Sequence, residues 1–163
     1  MEKIYLASID VGSTTVKLVI LDSRQNLVFG KYRRHHAHTL DVVAQLLQEA
    51  KESLGDCELR IKTTGSGAIN LGKALGIGFV QEVVAVATAL QTVAPQTDVA
   101  IELGGEDAKN IYFRGGLEER MNGVCAGGTG SFIDQMAALL QTDAEGLNQA
   151  AAHYEHIYPI AAR

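Results

Sequence analysis

The sequence predicts an α/β fold in which one domain occurs twice, the second copy being incomplete. Three observations lead to this prediction. Apolar, β-branched runs of strand length alternate with stretches of helical periodicity, which is typical of strands and helices that share a core. The segment at 9–17 recurs without gaps at 101–109, 92 positions later. The 163 residues include 17 glycines and only 2 prolines, and the glycines cluster where turns are expected.

Each element follows from a local pattern. Three β-branched runs near the N-terminus, separated by small or polar turns, predict strands. Thr39 could cap a helix whose apolar positions keep helical spacing until Gly55 ends it. The glycines after residue 64 predict a loop, and the apolar stretch that stops before Pro95 predicts a buried helix. In chain order, the predicted elements are strands 4–10, 15–22 and 27–33, helix 39–54, strand 58–64, loop 65–78, helix 80–93, strands 99–103, 110–113 and 117–121, and helices 127–140 and 144–153.

The internal repeat defines the domain organisation. Each copy is an apolar strand ending in an acid, then a glycine, a small polar turn, a lysine and a second strand. The matched positions are Asp10, Gly12 and Lys17 in the first copy and Glu102, Gly104 and Lys109 in the second. A repeat of this length indicates a duplicated domain rather than a solenoid. We therefore expect a first domain at 1–95 and the beginning of a second at 96–163, as in a fragment of a longer two-lobed protein.

Composition and charge exclude several classes of protein. A net charge of -5 without a basic stripe argues against a nucleic-acid partner. No apolar run approaches the roughly 18 residues of a membrane span, so no membrane partner is expected. The distant cysteines Cys57 and Cys125 form no disulfide framework, and the apolar N-terminal run is too short for a signal peptide. The sequence therefore predicts a globular, cytoplasmic protein.

The repeated hairpin is suited to binding phosphate. A glycine at the turn lets backbone N–H groups converge on an anion, while hydroxyls and lysine add donors and positive charge. The Lys17 side chain could face either side of its strand. The strand-end Asp10 can hold Mg²⁺ through water, and two hairpins facing each other across a cleft would clamp the phosphates of a nucleotide. An ordinary turn with a surface lysine is the alternative, which the duplication disfavours. The nucleotide-binding candidates are Gly12, Ser13, Thr14, Thr15 and Lys17 in the first copy and Gly104, Gly105, Asp107 and Lys109 in the second.

Two further motifs have competing interpretations. The segment 67–74 nearly matches a P-loop, but Ala74 lacks the hydroxyl that would bind Mg²⁺, so a working P-loop is disfavoured and 64–67 is interpreted as a flexible loop at a strand end. The histidines His35, His36 and His38 could hold a metal ion. They lack the helical spacing of a typical metal-binding pair, and a solvated basic loop is the favoured interpretation.

A third glycine cluster precedes the helix predicted at 127–140. Cys125 would lie before its N-terminus, where positive potential favours a thiolate that could ligate a metal ion or a cluster. A lone cysteine cannot complete such a site, and a small buried cysteine in a tight turn is the alternative. The neighbouring Gly127, Gly128 and Thr129 could also line the nucleotide site.

These motifs resemble those of the BadF/BadG/BcrA/BcrD ATPase family, the activators of 2-hydroxyacyl-CoA dehydratases. The matching segments are 10–17, 63–67, 102–109 and 122–130. The cysteine of the last segment is the most specific feature, because other members of the superfamily lack it. The resemblance implies a ribonuclease-H-like fold with a mixed sheet and a duplicated domain, as in actin, Hsp70 and the sugar kinases.

The resemblance also implies a function. Hydrolysis of ATP to ADP with Mg²⁺ would drive a low-potential electron from a 4Fe-4S cluster into a 2-hydroxyacyl-CoA dehydratase or related acyl-CoA reductase. Ferredoxin or flavodoxin would supply the electron in an anaerobic cytoplasm. A homodimer would share the cluster, with Cys125 as one ligand and a second cysteine expected just after Arg163. Asp10, Glu102 and Glu106 would be catalytic, although the family usually has Asp and Gln at the last two positions. The alternative is a small-molecule kinase or another non-redox nucleotide-binding module of the same superfamily.

Overall fold

The computed structural model of the chain describes residues 3–121 and 129–158. It divides the chain into two compact units, Met1–Gln96 and Thr97–Arg163. The first unit contains β1 (Ile4–Val11), β2 (Thr15–Leu21), β3 (Leu27–Arg34), α1 (Thr39–Leu54), β4 (Glu58–Thr64), α2 (Ala68–Leu75), β5 (Gly78–Phe79) and α3 (Glu82–Val93). Its strands form one sheet in the order β3-β2-β1-β4-β5. Because β1 runs antiparallel to β2 and parallel to β4, the sheet is mixed, and the predicted α/β fold class is confirmed.

The core of this unit lies between the sheet and α1. Alternate side chains of β1 and β2 point to one face, so Ile9, Leu18 and Ile20 are all at most 1% exposed. Helix α1 turns its apolar stripe toward them, and Leu46 at its centre is also 1% exposed. This packing holds β1 and β2 against the core. These two strands flank the first of the two repeated turns.

Two helical segments of the first unit differ from the sequence-based prediction. A helix, α2, occupies most of the glycine-broken segment 65–78, for which no helix was predicted. Its buried Ala68 and Leu71 are three residues apart, a helical spacing that the surrounding glycines obscure. The helix expected to be buried over 80–93 is α3, and among its residues only Ala87 is buried.

The second unit repeats the hairpin and ends in two helices. It contains β6 (Val99–Leu103), β7 (Ala108–Tyr112), β8 (Glu118–Met121), α4 (Gly130–Leu139) and α5 (Ala144–Ala151). The three strands form an antiparallel sheet in chain order, and the buried Ile111 lies in the middle strand, β7. Within the described residues, no helix is long and apolar enough to cross a membrane.

The β2–β3 turn carries a titratable group whose pKa can be tested directly. The Asp22 carboxylate accepts bonds from the Asn26 side chain at 3.0 Å and from the Asn26 and Arg24 backbone N–H groups at 2.9 and 2.8 Å. Chiefly because of the Asn26 side chain, the pKa of Asp22 lies below its ordinary value of 3.8. Since the folded-state pKa is depressed, the stability that this turn contributes is present above pH 3.8 and is lost as pH falls through the folded-state pKa.

We expect Asn26→Ala to raise the pKa of Asp22 toward its ordinary value, because it removes the largest favourable interaction of the ionised carboxylate. The measurement is an NMR titration of the Asp22 carboxyl carbon, with Asn70→Ala on the exposed side of α2 as the control. An unchanged Asp22 midpoint in the Asn26 variant would show that the side-chain bond does not set the pKa.

Candidate functional site

The first repeated turn joins a strand-end acid to a strand lysine. The Gly12 N–H donates to Thr15 O at 2.9 Å and closes the turn. The hairpin register pairs Asp10 with Lys17 directly across the two strands, so both side chains lie on the same face. Lys17 Nζ is 2.8 Å from Asp10 Oδ2, and each side chain is about one third exposed, at 34% and 31%. The sequence alone left the face occupied by Lys17 open, and the structure places it beside the acid.

The second oxygen of Asp10 has no such partner. Asp10 Oδ1 is buried and accepts no hydrogen bond from any residue that the structure describes. The Thr64 hydroxyl, on the strand position paired with Asp10, is likewise buried without a partner among those residues. Unpartnered buried polar atoms are costly, and Mg²⁺ and the waters it holds prefer such oxygen ligands. The donor set at Asp10 therefore fits the Mg²⁺ that the sequence motif predicts.

The segment after β4 packs onto this turn. Gly65 has φ +93°, and a Cβ there would lie 2.5 Å from Asp10 Oδ1 and even closer to Val11 O. Two residues later, Gly67 N–H donates to the same Val11 carbonyl at 2.9 Å. These close approaches explain the glycines of segment 63–67. The near-P-loop segment runs through α2, with Lys73 in the last helical turn rather than at a helix start, so its geometry is not that of a P-loop.

The second turn has the same construction. Gly104 N–H donates to Asp107 O at 2.8 Å, and Glu102 is paired with Lys109 across the hairpin. Lys109 Nζ lies 3.5 Å from Glu102 Oε1. The other carboxylate oxygen, Glu102 Oε2, is buried and has no hydrogen-bond partner within 3–121 and 129–158. In each turn, one oxygen of the carboxylate is paired with a lysine, and the other oxygen of the same carboxylate has no hydrogen-bond partner among the described residues.

The N-terminus of α4, which begins with a glycine, packs against the second turn. The segment 65–67 packs against the first turn in the same way. Gly130 N–H donates to Gly104 O at 2.9 Å, and Ser131 N–H donates to Gly105 O at 2.8 Å. Thr129, just before α4, is 3% exposed. Both turns are therefore held by backbone N–H donors from a later segment of the same unit, a feature that the sequence repeat did not predict.

The remaining candidates differ in exposure. Ser13 and the acidic pair Glu106 and Asp107 are exposed at their turns, whereas Thr15 is buried. Three predicted residues, Cys125, Gly127 and Gly128, lie outside the described residues. Helix α4 begins at Gly130 in the described chain, against the start at 127 that the sequence predicted.

His35 is a contact residue of the first turn that sequence reasoning missed. It was expected in a solvated basic loop, but it is 8% exposed, whereas His36 and His38 are exposed as predicted. Its Nε2 lies 3.2 Å from Gly12 O. Within 3–121 and 129–158, no group of three or more His, Cys, Asp or Glu side chains lies close enough together to hold a metal ion.

Proteins of known role share this architecture. The chain is 28% identical over 163 residues to the 2-hydroxyisocaproyl-CoA dehydratase activator of Clostridioides difficile, covering 96% of this chain and 60% of that protein. It is 29% identical over 154 residues to the (R)-2-hydroxyglutaryl-CoA dehydratase activating ATPase of Acidaminococcus fermentans, covering 91% of this chain and 58% of that protein. The chain thus spans about three fifths of the length of these relatives.

A solved structure extends the likeness to three dimensions. The activator of the 2-hydroxyisocaproyl-CoA dehydratase from Clostridium difficile with bound ADPNP matches with a TM-score of 0.79 at 26% identity, over 96% of this chain and 60% of that chain. The ribonuclease-H-like fold class implied by the motifs is therefore confirmed. Residues 8–157 match the sequence profile of the BadF/BadG/BcrA/BcrD ATPase family, and the chain belongs to that family.

Proposed function

We propose that this chain supplies the phosphate-binding turns of an ATP-dependent activator of a 2-hydroxyacyl-CoA dehydratase or a related acyl-CoA reductase. The observation that carries the proposal is the pair of equivalent turns, each with a lysine-paired carboxylate that keeps one buried oxygen unpaired. Membership of an ATPase family and a relative solved with bound ADPNP support it. The two carboxylates and the two turns are the parts that phosphoryl transfer most needs, since it depends on positioning and charge neutralisation.

Each group at the turns has a distinct proposed role. The backbone N–H groups and the hydroxyls at 13–15 bind phosphate oxygens, and Lys17 and Lys109 offset phosphate charge. Bound Mg²⁺ would neutralise further phosphate charge, with Asp10 holding its water shell. Glu102 and Glu106 orient the attacking water by accepting its protons as hydrogen bonds. The turn residues Gly104, Gly105 and Asp107 form the second cradle, and Thr129 with the glycines before it borders that cradle.

The proposal also includes the 4Fe-4S cluster and the homodimer of the whole protein, with ferredoxin or flavodoxin as electron donor. The cluster requires four thiolates. Cys125 is one thiol, so two copies of this chain would supply two of the four. Cys57 is half-buried, follows α1 and is remote in sequence from the motif that contains Cys125. Two further thiolates would therefore be needed to complete the cluster.

Cys125→Ala tests the redox part of the proposal. In the whole protein purified without oxygen, we expect iron per chain to fall to about half or less, because a cluster loses its binding when thiolates are removed. Iron and sulfide analysis with visible absorption spectra gives the measurement, and Cys57→Ala is the matched control. An unmodified protein that binds Mg·ATP but holds no iron would instead identify a non-redox nucleotide-binding module or a kinase.

A further inference from the structure

We propose that His35 is a positioning residue for the first phosphate turn. Its imidazole holds the Gly12 carbonyl, and this orients the Ser13 N–H toward the side on which phosphate binds. The inference rests on the proposed function, in which the turn at 12–15 binds nucleotide phosphate. It assigns a role to a buried histidine that neither the motif nor the repeat includes, since the second copy of the turn has no equivalent histidine contact in the described chain.

The contacts of His35 fix the state of its ring. The Ala37 N–H donates to His35 Nδ1 at 3.1 Å, so this nitrogen is an acceptor. In a neutral imidazole the proton then lies on Nε2, an assignment made from the hydrogen-bond partners. Nε2 therefore donates to Gly12 O, 3.2 Å away. The backbone N–H of His35 also donates to Thr14 O at 3.1 Å, so one residue holds two carbonyls of the turn.

The consequence for phosphate binding follows from the planar peptide unit. In a trans peptide the C=O of one residue and the N–H of the next point in opposite directions, and the described chain has no cis bonds. When Gly12 O points toward His35, Ser13 N–H must point away from it. Ser13 is exposed at this turn, and we infer that its N–H faces the side from which an anion can reach it.

The loop that presents His35 is itself strained. His36 and Ala37 have φ values of 45° and 67°, the left-handed region that non-glycine residues rarely adopt. His38 N–H donates to His35 O at 2.7 Å and closes this turn. The left-handed turn brings the Ala37 N–H to His35 Nδ1. Backbone strain of this kind persists where surrounding contacts require it.

Substituting His35 by Asn or by Gln tests the contacts of Nδ1 and of Nε2 one at a time. Asn places an acceptor near the position of Nδ1 and cannot reach Gly12 O, whereas Gln can place a donor near Nε2. We expect His35→Gln to bind Mg·ADPNP within about twofold of the unmodified chain, and His35→Asn and His35→Ala to bind about fivefold more weakly. Titration calorimetry measures the affinities, and His36→Asn at the exposed neighbour is the matched control. Equal affinities for His35→Asn and the unmodified chain would overturn the proposal.

NMR of the nucleotide-free chain distinguishes failure of this inference from failure of the proposed function. We expect ¹⁵N spectra to show the His35 proton on Nε2, and heteronuclear NOE values at Ser13 and Thr14 to fall in His35→Asn but not in His35→Gln. If neither the variants nor the unmodified chain bind Mg·ADPNP, the proposed function fails for this chain. The NOE values then still decide whether His35 orders the turn. A proton on Nδ1, or unchanged NOE values in His35→Asn, overturns the inference.

Discussion

Replacing Gly65 with alanine is expected to lower the free energy of unfolding of the first unit by roughly 3 kcal/mol, and to disrupt the first turn. The new Cβ would lie 2.5 Å from Asp10 Oδ1 and closer still to Val11 O. One of these obstacles is backbone, which cannot move without distorting β1. The φ of +93° adds a conformational cost that any side chain at this position would have.

Gly55→Ala is the matched control for the conformational part of this cost. Gly55 has a similar φ of +75°, but a Cβ there would have nothing within 4 Å. We expect it to cost about 1 kcal/mol. Urea unfolding followed by circular dichroism measures both variants, and the difference between them isolates the steric term. Equal losses at the two glycines would mean that segment 65–67 does not pack on the turn as described.

The sequence predicted the two hairpins because their signals are local. The apolar runs on either side of a small-residue turn predict two adjacent strands, whereas the two-residue turn that the structure forms at 13–14 sets the pairing of Asp10 with Lys17. The segments aligned by the gapless repeat, 9–17 and 101–109, form hairpins with the same spacing between paired positions. The pairing of the second copy, Glu102 with Lys109, follows in the same way.

Helix α2 and His35 could not be predicted because their determinants are tertiary. Gly67 and Gly72 predict a break in a helix. In the structure they are needed because α2 approaches Val11 and Thr63 too closely for a Cβ at either position. The burial of His35 depends on the β2–β3 register, which places it beside Thr14 just beyond the paired strands. From the sequence, this contact could be found only by extending the β2–β3 pairing by one residue, and doing so requires the position of the β2–β3 turn.

Asp10→Asn is expected to remove the Mg²⁺ dependence of nucleotide binding and to weaken binding of Mg·ADPNP by about tenfold to a hundredfold. Lys17 Nζ, 2.8 Å from Asp10 Oδ2, needs an acceptor. The asparagine therefore turns its carbonyl oxygen toward Lys17. Its NH₂ group then occupies the buried position that Asp10 Oδ1 holds without a partner among the described residues. A donor in that position repels a cation and cannot hold its water.

The fold should tolerate this change, because asparagine has the shape of aspartate and keeps the bond to Lys17. Calorimetric titrations with Mg²⁺ and with a chelator measure the Mg²⁺ dependence, and the thermal midpoint reports the fold. Asp41→Asn, at an exposed carboxylate in the first turn of α1, is the charge-matched control. If Asp10→Asn keeps the Mg²⁺ dependence while the same change Glu102→Gln abolishes it, the cation is held by the second turn. The two turns would then share a backbone geometry, but only the second turn would bind the metal ion.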